Sequence, residues 1–120
     1  MTINFLKETL EAIEQSGHIV DEIVFIGSLE TGHNCSWTEF KKLANQDYDN
    51  ISCMQKIADD LVIVFSDGQT MWRHDYGCRE GWMYSKPVVF PTANHPIASL
   101  FIPEASAGYM TLEEIANALT

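Results

Sequence analysis

The stretch "LVIVFSDGQTMWRHDY", residues 61 to 76, limits the possible folds of this chain more than any other segment. Two runs rich in β-branched and aromatic residues flank Asp67–Gly68, a pair that tolerates the positive φ of a tight turn. The pattern predicts a β-hairpin with a two-residue loop. In that register Phe65 faces Thr70, and Ile63 faces Trp72.

Further strands are predicted on both sides of this hairpin. A third strand, about Gly81 to Lys86, follows the turn "YGCREG" and completes an antiparallel meander. The run "EIVFIGSL" predicts a buried strand with cover on both faces, and "IASLFI" predicts one more short strand. Pro87, Pro91 and Pro96 exclude an inner strand or a continuous helix in the stretch that they punctuate.

Hydrophobic periodicity predicts a helix at the N-terminus. Residues 3 to 16 place one apolar face at helical spacing, and Thr2 is the expected N-cap. The residues predicted to face inward are Leu6, Leu10 and Ile13. A further short helix is predicted from Asn50 to Ile57.

Capping residues predict where two further helices begin. Ser36 and Glu39 have the S-x-x-E spacing of a capping box, which predicts a helix beginning at Trp37. Thr111 and Glu114 repeat this spacing before the C-terminal helix. The elements together predict a single globular α+β domain over residues 1–120. Its small antiparallel sheet has about four strands, with the N-terminal, middle and C-terminal helices packed mainly on one face.

Composition restricts the possible partners and location. The formal charge of −10 opposes direct binding to nucleic acid or to an anionic membrane and favours a partner protein with a basic surface. No run of apolar residues is long enough for a membrane span, and the N-terminus lacks the basic start of a signal peptide. We therefore expect a cytoplasmic protein. The odd number of cysteines, 3, favours reduced thiols over a disulfide framework.

Histidine and cysteine side chains leave a zinc site open as an alternative. Thiolate sulfur and imidazole nitrogen are the ligands of tetrahedral zinc, and the chain offers His33, Cys35, Cys53, His74 and Cys78. Their spacing lacks the C-x2-C pairs of structural zinc sites. Small buried cysteines explain the same residues without a metal, so neither a metal nor another cofactor is expected.

A cysteine nucleophile is a second alternative. Cys35 or Cys78 with His74 could supply a thiol and a base if the fold brings them together. Cys35 precedes a capped helix, where the helix dipole is expected to lower the pKa of its thiol. The chain has no Gly-rich phosphate loop, G-x-S-x-G elbow or H-E-x-x-H helix, so no other catalytic motif supports an enzyme.

The predicted meander is rich in the residue types that anchor protein interfaces, namely tryptophan, tyrosine and arginine. Because side chains alternate along a strand, the helices can cover only one face of such a sheet. Aromatic residues on the other face, ringed by Arg79 and Lys86, would then be exposed. The predicted partner-binding residues are Trp72, Arg73, Tyr76, Arg79, Trp82 and Tyr84.

Two segments carry a resemblance to a known group of proteins. From "SLETGHNCSWTEF" through "IADDLVIVFSDGQTMWRHDYGCREGWMYSKP", the chain resembles small uncharacterised proteins of bacteriophages and prophages. These share a G-H-x-C-x-W-x-E-F segment, an A-x-D-L-V-I-V strand and a tryptophan- and tyrosine-rich hairpin. The resemblance implies no activity, catalytic residue or cofactor. It implies a context in which small acidic proteins bind host complexes, as anti-CRISPR and other counter-defence proteins do.

The leading hypothesis from the sequence is therefore a non-enzymatic interaction protein, encoded by a phage or another mobile element. It would inhibit a bacterial host complex by binding a basic or nucleic-acid-binding surface. A zinc-stabilised interaction module and a small cysteine-dependent hydrolase are the alternatives. The sequence leaves the oligomeric state open.

Overall fold

The computed structural model describes residues 1–85, 90–105 and 108–119. The chain divides into two compact units, Met1–Val88 and Val89–Thr120, and each unit is described by itself. The expectation of one domain over residues 1–120 stays a prediction. Lys86, predicted to end the third strand and to border the exposed aromatic residues, lies outside the described residues, as does Pro87.

The first unit combines helices with two antiparallel sheets, which confirms the α+β class. The described elements of this unit are β1 (Thr2–Asn4), α1 (Phe5–Gln15), a 3-10 turn (Val20–Glu22), β2 (Ile23–Gly27), α2 (Trp37–Ala44), β3 (Asp47–Asp49), β4 (Val62–Phe65), β5 (Thr70–Tyr76) and β6 (Arg79–Tyr84). A four-stranded sheet has the strand order β2-β4-β5-β6, and β1 pairs with β3 in a small second sheet.

The β4–β5 hairpin is present, but its predicted register is wrong by one residue. Ile63 lies opposite Met71, and Trp72 lies opposite Val62. The loop has three residues and ends at Gly68, whose φ of 87° is left-handed, a common form for a hairpin of this length. A shift of one residue in the register moves each side chain of the shifted strand to the opposite face of the sheet. Met71 therefore points into the core, and Trp72 points away from it.

The next hairpin has a tighter turn than the sequence predicted. Tyr76 lies opposite Arg79, so the turn consists of Gly77–Cys78 alone, and β6 begins two positions before the expected Gly81. Both turn residues have positive φ, 58° for Gly77 and 70° for Cys78. This is the backbone requirement of a type I′ turn, which matches the twist of paired strands.

One face of the four-stranded sheet packs on α1 and α2, as predicted. The sheet contributes Ile63 and Met71, both 0% exposed, at the centre of the core. The other core residues of this unit are Phe5, Ala12, Ile13, Ile26, Phe40, Ala44, Phe65 and Trp82. We call this side of the sheet the inner face and the opposite side the outer face.

The N-terminal helix begins later than predicted. Residues Thr2–Asn4 pair with β3, so Thr2 is not the N-cap. Asn4 takes that position, and its side chain accepts a hydrogen bond from the Lys7 amide at 2.9 Å. The buried face of α1 includes Phe5 and Ile13. Leu10, which was predicted to face inward, is 42% exposed.

The two predicted capping boxes are confirmed. Ser36 accepts from the Glu39 amide and Glu39 accepts from the Ser36 amide, so α2 begins at Trp37. In the second unit, Thr111 and Glu114 form the same reciprocal pair at the start of α3 (Leu112–Ala118). The capping pattern therefore located both helices correctly.

Three local predictions are wrong. Asn50 to Ile57 forms bends and no helix, and Cys53 has a φ of 60° that no α-helix accommodates. The run "IASLFI" forms no strand; Pro96 and Pro103 bracket it. In β2, Val24 is 63% exposed at a break in the register with β4, so this strand is not covered on both faces.

Candidate functional site

The outer face is the candidate binding surface of the first unit. Trp72 lies between Val62 and Met83 in one cross-strand row. The tryptophan is 39% exposed and Met83 is 44% exposed. In the adjacent row Val64, which is half-buried, lies between Phe25 and Thr70. These side chains form a continuous apolar patch that α1 and α2 do not cover.

The patch continues toward the tip of the β5–β6 hairpin with aromatic and basic groups. The rings of His74 and Tyr76 stack with their centroids 6.1 Å apart, and Tyr76 is 79% exposed. Arg79 lies opposite Tyr76 and is also exposed. The outer face therefore offers apolar area beside an exposed aromatic residue and a cation, the combination found in interface hot spots.

The six predicted partner-binding residues divide between the two faces. Trp72, Tyr76 and Arg79 lie on the outer face or at its tip. The Arg73 side chain is fully buried, and Trp82 is 9% exposed with its indole N–H donating to Thr9 Oγ1 at 2.9 Å. The remaining residue, Tyr84, is half-buried and opposite Met71 of the inner face. Arg73 and Trp82 are thus core residues, because the register points them toward α1.

Arg73 is the centre of a buried charge cluster that sequence reasoning missed. Its guanidinium donates to Glu80 Oε2 at 3.0 Å and to Glu8 Oε2 at 3.4 Å. It also donates to the Tyr48 hydroxyl at 3.1 Å, and that hydroxyl donates to Glu8 at 2.6 Å. The guanidinium carbon lies 5.0 Å from the ring centroid of Trp82, a cation–π contact. These contacts pair the two terminal nitrogens of the buried guanidinium with oxygen acceptors and link β5 to α1, β3 and β6.

Burial changes the acidity of the tyrosine in this cluster. Loss of hydration, and then the hydrogen bond to Glu8, raise the pKa of Tyr48 well above its ordinary value, although the nearby Arg73 opposes that shift. Tyr48 therefore stays protonated in the folded protein over the neutral range. It acts as a donor to the carboxylate and as an acceptor from the guanidinium.

Hydrogen bonds join the buried Ser16 and His18 to the exposed Asp67. His18 Nδ1 is 2.9 Å from Ser16 Oγ, and His18 Nε2 is 2.7 Å from Asp67 Oδ2. These are the residue types of a hydrolase triad, but Ser16 is 1% exposed and donates to the Ile13 carbonyl. A buried hydroxyl cannot meet a substrate. The chain of contacts instead ties the end of α1 to the β4–β5 turn.

The aspartate of this chain is also the residue that shapes the hairpin loop. Its carboxylate accepts from the Gln69 amide at 2.9 Å. That amide and then His18 lower the pKa of Asp67. The local sequence contains the Ser16–His18 pair directly after α1. The partner of His18 is Asp67, which lies 49 positions away and could not be found from the local sequence.

Two of the three cysteines form a disulfide, Cys53–Cys78, so the prediction of reduced thiols is wrong for this pair. Cys35 is free and half-buried. Burial, and then the charge of Glu39, raise the pKa of the Cys35 thiol, which contradicts the lowering expected from the helix dipole. Cys35 is therefore a protonated thiol at neutral pH.

The predicted zinc ligands are dispersed in the first unit. The His33 ring contacts Thr31 Oγ1 at 2.7 Å, and the His74 ring stacks on Tyr76. The sulfur atoms of Cys53 and Cys78 are joined to each other. Among the described residues, no group of three or more His, Cys, Asp or Glu side chains could hold a metal ion.

Cys35 borders two adjoining cavities beside α2. One has a volume of about 470 Å³ and the other about 380 Å³, and they share Cys35, Leu43, Ala58 and Leu61. Residues 56–58 and Leu61 form one wall, and α2 forms the facing wall. Leu43 of α2 lines both cavities and is 66% exposed. We call the pair of cavities the α2 groove.

Comparison of the chain with models of protein families, with curated proteins and with solved structures finds no match. Within the described ranges, no helix has the length and apolar character needed to cross a membrane.

Proposed function

We propose that this chain is a non-enzymatic interaction protein that binds a protein partner through its outer face, with Trp72 as the central anchor. The exposure of Trp72 between Val62 and Met83 supports this proposal most directly. Hydration of an exposed apolar row across three strands is unfavourable, and a partner that covers the row removes this cost. Tyr76 and Arg79 add the polar rim of such an interface.

Charge indicates the kind of partner. The chain has 17 acidic residues against 7 lysines and arginines, so its long-range field attracts a basic surface. We propose a partner with an apolar patch surrounded by basic groups, such as a nucleic-acid-binding surface of a host complex. Electrostatic steering would increase the rate of association, and contacts at Trp72 would determine how long the complex lasts.

The resemblance to phage and prophage proteins supports a biological setting for this activity. A small acidic protein made in a bacterial cell during infection could inhibit a defence complex by covering its nucleic-acid-binding site. We therefore propose counter-defence, of the anti-CRISPR or a related type, acting in the cytoplasm of the host cell.

The first experiment is capture from a bacterial lysate, with wild-type protein and the variant Trp72→Ala compared by mass spectrometry. With the captured protein purified, the variant should bind more weakly by about 2 kcal/mol or more, the threshold of a hot spot, with little change in melting temperature. Leu10→Ala is the matched control, because Leu10 is 42% exposed but lies on α1, behind the inner face. Equal losses of affinity in both variants would show that the outer face is not the binding site.

The charge argument has a separate test. The association rate of wild type with the captured protein should fall as salt rises from about 50 to 300 mM, because screening removes steering between opposite charges. A rate that does not depend on salt would leave binding at the outer face possible and would remove the basic surface from the proposal.

A further inference from the structure

Residues 50–61 form a segment without helix or strand between β3 and β4, which we call the wall segment. It is attached to the β5–β6 hairpin at three places. The Glu80 amide donates to the Asn50 carbonyl at 3.0 Å. The Glu80 carboxylate accepts from the amides of Lys56 at 2.6 Å and Ile57 at 3.3 Å. Between these contacts lies the Cys53–Cys78 disulfide, the one covalent link among the described attachments.

The wall segment lines the same cavity as Cys35. Lys56, Ile57, Ala58 and Leu61 line one side of the α2 groove, and Cys35 borders the same space. Cys35 is half-buried in this arrangement. Movement of the wall segment away from the hairpin would open the groove and expose the thiol.

The attachments of the wall segment differ in their accessibility. Glu80 is 4% exposed and is paired with the fully buried Arg73, so its contacts are protected from solvent. Both cysteines of the disulfide are exposed. Both also have left-handed backbone, with φ of 60° at Cys53 and 70° at Cys78, a conformation that costs free energy in residues other than glycine. The covalent attachment is therefore the one that a reagent in solution can reach.

We infer that the Cys53–Cys78 disulfide is a redox-sensitive clasp that holds the wall segment closed over the α2 groove. A thiolate of a low-molecular-mass thiol attacks one sulfur, the S–S bond breaks, and the displaced cysteine thiolate takes up a proton. A second reductant thiolate then attacks the reductant sulfur of the mixed disulfide and displaces the remaining cysteine as a thiolate, which also takes up a proton. Two reductant thiols become one disulfide, and Cys53 and Cys78 each gain a hydrogen. The reduced wall segment opens more often, which exposes Cys35. This inference does not depend on the proposed function.

Hydrogen exchange tests the inference on the natural chain, compared in its oxidised form and after reduction with dithiothreitol. Exchange of the Lys56 and Ile57 amides should be at least about fivefold faster in the reduced protein, because local opening controls the exchange of such amides. The amides of Ile63 and Met71, at the centre of the sheet, are the internal control and should not change. Faster exchange at all four positions would show that the disulfide stabilises the whole unit, which would overturn the inference.

Alkylation provides an independent readout. Iodoacetamide should modify Cys35 at least about fivefold faster in the variant Cys53→Ser/Cys78→Ser than in the oxidised wild type, since opening exposes the thiol. Peptide mapping assigns the modified residue, and Cys35→Ser gives the background. Equal rates at Cys35 together with unchanged amide exchange would overturn the inference. So would three free thiols in wild-type protein purified without reductant.

Discussion

Trp72 and Trp82 lie on neighbouring strands of one hairpin and have opposite environments. Trp82 is on the inner face, where its ring stacks on Phe5 at 5.9 Å and its indole N–H is bonded to Thr9. Trp72 is on the outer face, opposite Met83, and is 39% exposed. The two residues have the same chemistry, so register alone decides which one stabilises the fold and which one can contact a partner.

The arginines of the same hairpin repeat this contrast. Arg73 is surrounded by two carboxylates, a tyrosine hydroxyl and two aromatic rings. Arg79 is exposed at the tip and forms no ion pair with the residues that the structure describes. The cation of the inner face is therefore paired with buried carboxylates, whereas the cation of the outer face is exposed to solvent.

Loss of the buried cation should give the largest effect. We expect Arg73→Ala to lower the free energy of unfolding by about 3–5 kcal/mol, because it leaves the carboxylates of Glu80 and Glu8 without their partner. Chemical denaturation of the two proteins at pH 7 measures the difference. Arg79→Ala is the matched control on the outer face and should cost less than about 0.5 kcal/mol. Similar losses in both variants would remove the distinction between the faces.

Features that depend on neighbouring residues were predictable. The Ser36–Glu39 and Thr111–Glu114 pairs locate two helices, since a capping box involves only four consecutive positions. The strand-rich runs around Asp67–Gly68 locate the hairpin for the same reason. The register was not predictable, because Asp67–Gly68 suits a two-residue loop and a three-residue loop alike. The contact of Asp67 with His18, 49 positions away, could not be found from the local sequence either.

The candidate site was predictable in composition but not in geometry. Sequence alternation indicated that some of the aromatic residues must be exposed, but an error of one position exchanges the two faces. The partners of Arg73 come from separate elements, Glu8 being 65 positions away and Tyr48 being 25 away. The disulfide also joins cysteines 25 positions apart, one of them in a segment predicted to be helical. Local patterns contain no information about such pairs.

An intermediate effect should distinguish the two tryptophans. Trp82→Phe should lower the free energy of unfolding by about 2 kcal/mol, because it removes a buried hydrogen bond and leaves space beside Phe5. Trp72→Phe should change stability by less than about 0.5 kcal/mol, because the outer face can rearrange into solvent. Thermal unfolding of both variants checks the pair. A larger loss for Trp72→Phe than for Trp82→Phe would mean that the faces are assigned in reverse.

The smallest expected effect is at the edge of the buried cluster and depends on pH. Tyr48→Phe should cost about 1 kcal/mol at pH 7, through lost hydrogen bonds to Glu8 and Arg73. Because folding raises the pKa of Tyr48, its contribution to stability is complete below the unfolded pKa of about 10 and decreases as the pH rises above that value. The wild type should therefore lose stability faster than the variant above about pH 10, and the difference between them should narrow. Denaturation of both proteins from neutral to alkaline pH measures this difference, and Tyr76→Phe, on the outer face, should cost less than about 0.5 kcal/mol at pH 7. A difference between wild type and Tyr48→Phe that stays constant through pH 10 would show that the Tyr48 hydroxyl is not buried against the carboxylate.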